Sequence, residues 1–328
     1  MKLQILIPHY DEAYNEIENL LNSISIQQSV DLAEVGVIIA YDGPKAIELP
    51  ISEWNDSYSF EVKQVSLPEK LGVSEARNAA LRAAKADYVM FCDADDMFCH
   101  VCGLYIIFNE IEAGFDTLTS MFIEETRNPE TGEPVYVNHE MDSTFVHGKV
   151  HRRKFLMQNN LKFNPNLTVH EDSYFNVLVQ SIANPNRAKY CPTAFYLWKW
   201  RDASVCRHDP KYILKTYSNM IDSNDALVSE LLYRKLFEKA QFHSAVMIFD
   251  AYYTMNKKEW IDTINADYRH QVDRRFKSYL KKYKYLWDEL KDQDKMMISN
   301  NVRSRSVLEG MPMESITIED WLNFIENL

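Results

Sequence analysis

An α/β sheet followed by a helical region is the fold class the sequence predicts, and three patterns predict it. Over roughly the first hundred residues, short apolar runs alternate with stretches of helical period, the rhythm of parallel strands joined by crossover helices. Between residues 115 and 205 the pattern loosens into short strands and loops. From Asp209 onward the composition turns to Lys, Glu, Leu and Tyr at helical spacing, with almost no glycine. A length of 328 residues suits two domains, and the boundary falls near residue 210. The expected division is a sheet domain over 1–210 and a helical domain over 211–328.

Each element follows from its local pattern. Residues 3–7 are a run of Ile and Leu ended by Pro8, and read as a buried strand. Ile17, Leu20, Leu21 and Ile24 recur at helical spacing. Residues 35–40 form a second strand, closed by the turn Asp42-Gly43-Pro44. Residues 61–65 form a third, in which Val62 and Val65 alternate imperfectly with polar neighbours. Ser74 is expected to cap a helix whose stripe of Ala76, Ala79, Ala80, Ala83 and Ala84 suits close packing on a sheet. Residues 88–92 are a fourth buried run, and residues 126–134 a turn-rich excursion. Residues 193–201 alternate Phe195, Leu197, Lys199 and Arg201 against Tyr196, Trp198 and Trp200, as a strand does. Asp209-Pro210 starts a helix. Thr317 and Asp320 make a capping box with Asp in the Glu position, opening a last helix with Trp321, Phe324, Ile325 and Leu328 on its apolar face.

Bulk properties narrow the function. With 46% hydrophobic and 26% charged residues the chain is globular, not disordered. A net charge of −12 disfavours a protein that coats a phosphate backbone, so nucleic acid is an improbable partner. Five cysteines without regular spacing argue against a disulfide framework and for a reducing compartment. Cys99-x-x-Cys102 is half a zinc or redox motif with no second half. The apolar run at the N-terminus is too short for a signal peptide, and no stretch approaches a membrane span. A soluble, cytoplasmic protein is expected.

Ligands of an open α/β sheet bind beyond the carboxyl ends of its strands. Here those ends are Pro8-His9-Tyr10-Asp11, Tyr41-Asp42-Gly43, residues 67–72 and Asp93-Ala94-Asp95-Asp96, which gather carboxylates on one edge. Carboxylates that close repel unless something positive lies among them. Hard oxygen ligands suit Mg²⁺ or Mn²⁺ with positions left open for phosphate oxygens, although an acidic loop with a helix cap has the same composition. Arg77 lies in the first turn of the Ser74 helix, where the dipole disfavours a cation. Such a residue can serve, with the helix terminus, to hold an anion.

In order along the chain these residues resemble the inverting family-two glycosyltransferases of GT-A fold. The resemblance rests on Pro8-His9-Tyr10-Asp11, Tyr41-Asp42-Gly43-Pro44, Gly72-Val73-Ser74-Glu75-Ala76-Arg77-Asn78, Asp93-Ala94-Asp95-Asp96, Gly148-Lys149-Val150-His151-Arg152-Arg153 and Glu171-Asp172-Ser173-Tyr174-Phe175. It covers about 200 residues and leaves out the helical tail. It implies a Rossmann-like nucleotide-sugar domain with a mixed, mainly parallel sheet. Tyr10 would pack on a uracil ring, Asp42 would accept its N3–H, and Arg77 would contact the diphosphate. Pro8, Asp11, Gly72, Asp93 and Lys149 complete the implied donor site. Asp93 and Asp95 would hold Mn²⁺ or Mg²⁺, with His208 as a further ligand. Asp172 would be the general base and Glu171 its orienting neighbour. Asp11 stands where the family usually has Asn, and Tyr41 replaces the first Asp of the nucleotide pair.

The expected chemistry is one displacement at an anomeric carbon, from a UDP-sugar or related donor to a hydroxyl acceptor on a glycan or other biomolecule. Residues 147–154, the most basic stretch, read either as a solvated loop or as a lip over the donor phosphates or an acidic acceptor. Tyr196, Trp198 and Trp200 read either as core or as a platform for an acceptor sugar. The helical tail would complete the acceptor site or mediate self-association into a homo-oligomer. A sugar-nucleotide synthesising nucleotidyltransferase and a nicotinamide dehydrogenase both need a glycine-rich loop after strand one, where this chain has His9-Tyr10-Asp11-Glu12. A non-catalytic sugar-nucleotide module and transfer to modified DNA bases remain as alternatives.

Overall fold

A computed structural model describes residues 1–44, 49–202, 211–308 and 316–328, the side chains of residues 304–308 excepted. The chain forms two compact units, Met1–Ser204 and Val205–Leu328. In the first, β1 (Leu3–His9), α1 (Tyr14–Ser25), β2 (Val35–Tyr41), α2 (Ile51–Ser57), β3 (Glu61–Ser66), α3 (Val73–Ala83) and β4 (Tyr88–Phe91) alternate as the sequence predicts. There follow β5 (Met97–Phe98), α4 (Gly103–Ala113), β6 (Thr117–Arg127), β7 (Pro134–His139), β8 (Lys149–Arg152), α5 (Arg153–Gln158), α6 (Glu171–Ile182) and β9 (Ala188–Trp198).

One nine-stranded sheet runs β3-β2-β1-β4-β8-β6-β9-β5, with β7 paired to β6. Strands β3, β2, β1 and β4 are parallel. β8 is antiparallel to both β4 and β6, whereas β6 and β9 are parallel. The sheet is therefore mixed, and strand order turns back between β1 and β4. That switch point places residues 10–12 beside residues 92–96, where a ligand crevice belongs.

β1 and β2 are buried almost throughout, which is why they read as continuous apolar runs and not as alternating strands. β1 does not stop at Ile7. Pro8 pairs with Ala40 and His9 with Tyr41, since the φ fixed by proline is compatible with extended backbone. Ser74 does not cap α3. Gly72 occupies the N-cap at φ 92°, its carbonyl accepting from the backbone N–H groups of Glu75 and Ala76, while the buried Ser74 hydroxyl has no hydrogen-bond partner among the described residues. Ala76, Ala80 and Ala84 are the buried members of the small-residue stripe. β9 begins five residues before the expected 193 and ends at Trp198, and Pro192 falls in a break of its register against Ser120 and Phe122.

The second unit comprises α7 (Tyr212–Lys215), α8 (Tyr217–Tyr233), α9 (Phe237–Met255), α10 (Lys258–Thr263), α11 (Ala266–Asp288), α12 (Asp292–Leu308) and α13 (Ile318–Asn327). Its core is built from Val228, Leu231, Ala245, Ile248, Val272, Phe276 and Leu280. Buried tyrosines find polar partners, Tyr217 donating to Asp250 (2.6 Å) and Tyr279 to Asn224 (2.7 Å). Thr317 caps α13 as expected, but Leu322 joins Trp321 and Ile325 in the core, while Phe324 and Leu328 are half exposed. The expected helix start at Asp209-Pro210 lies outside the described residues. Among the described residues no helix is long and apolar enough to cross a membrane.

Candidate active site

Three loops meet at the carboxyl edge of the sheet. The first leaves β1. Tyr10 is 40% exposed, its ring covered on one side by the Lys70 ammonium at 3.4 Å and lying near-parallel to Tyr41 at 6.4 Å. Its backbone N–H donates to Glu12 Oε2 (2.8 Å). Pro8 is buried behind it, and Asp11 is exposed. Nothing in the local sequence of Lys70 separates it from a surface lysine.

The second loop follows β3. Asp42 is 4% exposed and its carboxylate is already engaged. Oδ1 accepts from the Leu71 N–H (2.7 Å) and Oδ2 from the Gly72 N–H (2.9 Å). Asp42 thus fixes the loop that leads into α3, whatever else its remaining lone pairs accept. Gly72 supplies the positive-φ turn there, a conformation that disfavours any side chain.

The third loop follows β4 and holds the acidic tetrad. Burial pushes the Asp93 carboxyl up, but the groups beside it, Arg77 first and then His147, together leave the pKa lowered. Arg77 Nη2 donates to Asp93 Oδ1 at 2.8 Å. Asp95 is pushed up to about 6, by burial first and by the Asp93 charge second. Asp96 is 1% exposed, accepting from the Tyr196 hydroxyl and from the Lys199 N–H (3.0 Å). The same Tyr196 oxygen accepts from the Asp93 N–H (3.2 Å), so one tyrosine ties the tetrad to β9. Arg201 stands among Asp11, Glu12, Glu16 and Asp95 at 3.6–3.9 Å.

Several expectations are corrected here. Residues 147–154 are neither a solvated loop nor an exposed lip. Lys149 is 1% exposed inside the sheet, its ammonium bonded to the Phe145 carbonyl and 3.4 Å from Asp142. His147 and His151 are buried as well, and burial holds each down to about 3, hence neutral. Tyr196 is fully buried and belongs to the core, whereas Trp198, stacked on His147 at 4.8 Å, and Trp200, beside Arg127, are half-buried. Arg77 is 4% exposed and spans Asp93 and Glu171. Cys99 and Cys102 are free thiols, which leaves the half-motif without a disulfide. His208 lies outside the described residues.

Facing the tetrad is the start of α6. Glu171 Oε1 accepts from Arg77 Nη1 (2.8 Å), and Asp172 Oδ1 accepts from the Ser173 N–H (2.7 Å). The Asp172 carboxyl is pushed up to about 7, by burial first and by Glu171 second. A helix start predicts the opposite direction. His147 also belongs to this region: with Asp93 and Asp96 it forms a group whose ligand atoms lie within 4.8 Å of one another, and its buried Nδ1 has no hydrogen-bond partner among the described residues.

A mixed, mainly parallel sheet with carboxylates gathered at its switch point defines the GT-A class of nucleotide-sugar fold. Residues 4–163 match the family model Glycosyl transferase family 2. An uncharacterized glycosyltransferase of Haemophilus influenzae is 35% identical over 96 residues, which span 29% of this chain and 30% of that relative. Among solved structures, S. aureus TarS 1-349 in complex with UDP aligns over all of this chain and 90% of that 1-349 chain, with TM-score 0.64 and 16% identity. TarS 1-349 in complex with UDP-GlcNAc aligns over 100% of this chain and 91% of that one, with TM-score 0.64 and 17% identity. The mannosyltransferase PcManGT of Pyrobaculum calidifontis, in complex with GDP-Man and Mn²⁺, aligns over 88% of each chain, with TM-score 0.51 and 15% identity.

Proposed function

We propose that the chain is a cytoplasmic, metal-dependent, inverting glycosyltransferase that moves a sugar from a nucleoside diphosphate, a UDP-sugar by preference, onto a hydroxyl acceptor. The observation that carries the reading is the joining of two carboxylate pairs, Asp93–Asp95 and Glu171–Asp172, through Arg77. One pair suits the donor and the other suits the acceptor.

The donor set fits a divalent cation. Asp95 is held up to about 6 in part by the Asp93 charge, a repulsion that a cation would relieve. Asp93 and Asp95 are partly open, with side chains 29% and 23% exposed, and would hold Mn²⁺ or Mg²⁺ with positions free for phosphate oxygens. The alternative set of Asp93, Asp96 and His147 fits less well, because Asp96 is closed in and spent on Tyr196 and Lys199. When bound, the cation would supply charge stabilisation for the departing diphosphate.

The chain's own residues do the rest. Tyr10 offers an exposed ring face to a base once Lys70 moves aside, and the loop fixed by Asp42 closes the same edge. Asp172, neutral below about pH 7 and ionised above it, takes the acceptor proton as the acceptor oxygen bonds to carbon. One displacement inverts configuration, and no covalent sugar–enzyme intermediate is needed. The helical unit would complete the acceptor site or support self-association. The names of the aligned structures favour UDP over GDP as the first donor to try. A panel of UDP-, GDP- and dTDP-sugars with Mn²⁺ or Mg²⁺, scored by nucleotide release and thermal shift, tests the reading. Release from at least one donor is expected. Donor binding without release across the panel would point to a binding module.

A further inference from the structure

Arg77 is an enclosed cation, with its side chain 5% exposed. Its two terminal nitrogens go to different carboxylates on different elements, Nη2 to Asp93 just beyond β4 and Nη1 to Glu171 at the start of α6, each at 2.8 Å. The Phe163 ring lies 5.2 Å from Cζ, and Nε is buried with no hydrogen-bond partner among the described residues. A diphosphate could reach this group only by expelling a carboxylate from a closed contact. Resting on the transfer reading above, we propose that Arg77 is a positioning residue that sets Asp93 against the Glu171–Asp172 pair, and not a ligand of donor phosphates.

The chemistry favours arginine for such a task. A planar guanidinium presents N–H groups along separate edges and can hold two acceptors in fixed directions, whereas a lysine ammonium is a compact point charge. Asp93 spends one oxygen on Arg77 and keeps its side chain 29% exposed, which leaves it capacity toward a cation. Glu171 spends one oxygen likewise, and Asp172 follows it directly in the chain. Without the bridge, two carboxylates would face each other unshielded and the first turn of α6 would shift. Displacement of a catalytic group by about 1 Å can cost about 10²-fold in rate.

The test compares Arg77→Lys and Arg77→Gln with wild type in the full chain. Circular dichroism and thermal unfolding report the fold, calorimetry reports UDP affinity with Mn²⁺ present, and kcat and donor KM are measured with the donor that wild type turns over. The expected result for folded Arg77→Lys is unchanged UDP affinity and donor KM, with kcat down about 10²-fold. A tenfold or greater loss of UDP affinity at constant kcat would make Arg77 a phosphate ligand and overturn the proposal. A lowered Tm with full kcat per folded molecule would reduce it to structural support and overturn it equally. If neither variant folds, Glu171→Gln removes one arm of the bridge, and an unchanged kcat there would refute it. Failure of wild type to turn over any donor would count against the transfer reading, and the UDP-affinity arm would still judge Arg77.

Discussion

Two opposed influences act on Asp172. A helix N-terminus favours a carboxylate, while withdrawal from water and the neighbouring Glu171 favour the acid, and together they push the group up to about 7. The sequence places Asp172 at the start of a helix, but burial is invisible in it, so the direction of the shift comes out reversed. The sign has a consequence. A base works when ionised, so transfer should rise with pH through about 7 and level off above it. Asp172→Asn should lower single-turnover transfer by about 10²–10⁴-fold and erase this acidic limb, with donor affinity little changed. Glu171→Gln should cost less than that. A limb that persists in Asp172→Asn would move the base elsewhere, Glu171 being next. The tetrad divides its labour in a comparable way. Asp95→Asn should abolish Mn²⁺-dependent UDP binding in calorimetry while the protein stays folded, and unchanged affinity would remove Asp95 from the metal site. Tyr196→Phe deletes the hydroxyl that joins Asp96 to the Asp93 N–H, leaving buried polar atoms unmatched. It should lower stability by about 1–3 kcal/mol in a denaturant titration.

At the scale of elements, what could be read from the sequence depended on whether a pattern was local. Strands β1, β2 and β4 and helices α1 and α3 carry their own apolar signatures, and the turns after them place Tyr10, Asp42 and the tetrad on one edge. β8 carries no such signature, because Lys149 and His151 are polar residues in a buried strand. Lys149 is matched by Asp142 and the Phe145 carbonyl only after residues 142–149 have folded back, which no periodicity announces. Tyr196 was ambiguous for the same reason, since its partner Asp96 is 100 residues away in the chain. The Ser74 cap failed differently. A serine in the first turn resembles a cap, but the true N-cap is set by the backbone of Gly72 at φ 92°. A methyl group at Gly72 would meet nothing within 4 Å, so Gly72→Ala tests conformation without a clash. With ψ at 164° Gly72 lies in an extended, positive-φ region that costs any other residue about 1–3 kcal/mol, and urea denaturation should show a loss of that size. A larger loss, or none, would mean that the loop does not keep this geometry.

At the scale of the whole molecule, the chain joins a sheet unit whose architecture has many counterparts to a helical unit that the family match over residues 4–163 does not reach. Each unit closes its own core. The sheet unit buries Ile5, Ile39, Met90, Leu118 and Phe122, and the helical unit buries Val228, Ile248, Val272 and Phe276. Units that bury separate cores can fold separately, whereas helices that belonged to a single common core would leave it open when removed. Ending the chain near residue 209 should therefore give a folded protein with the far-ultraviolet spectrum of an α/β sheet. Its affinity for UDP with Mn²⁺ should match that of the full chain, because Tyr10, Asp42, Asp93 and Asp95 all precede the cut. Transfer to an acceptor should fall or vanish if the helical unit completes the acceptor site, and should persist if that unit serves self-association. Sedimentation of the full chain beside the truncated one separates these outcomes, since only an association surface would shift the mass of the assembly. An unfolded truncated protein would mean that the two cores are energetically one.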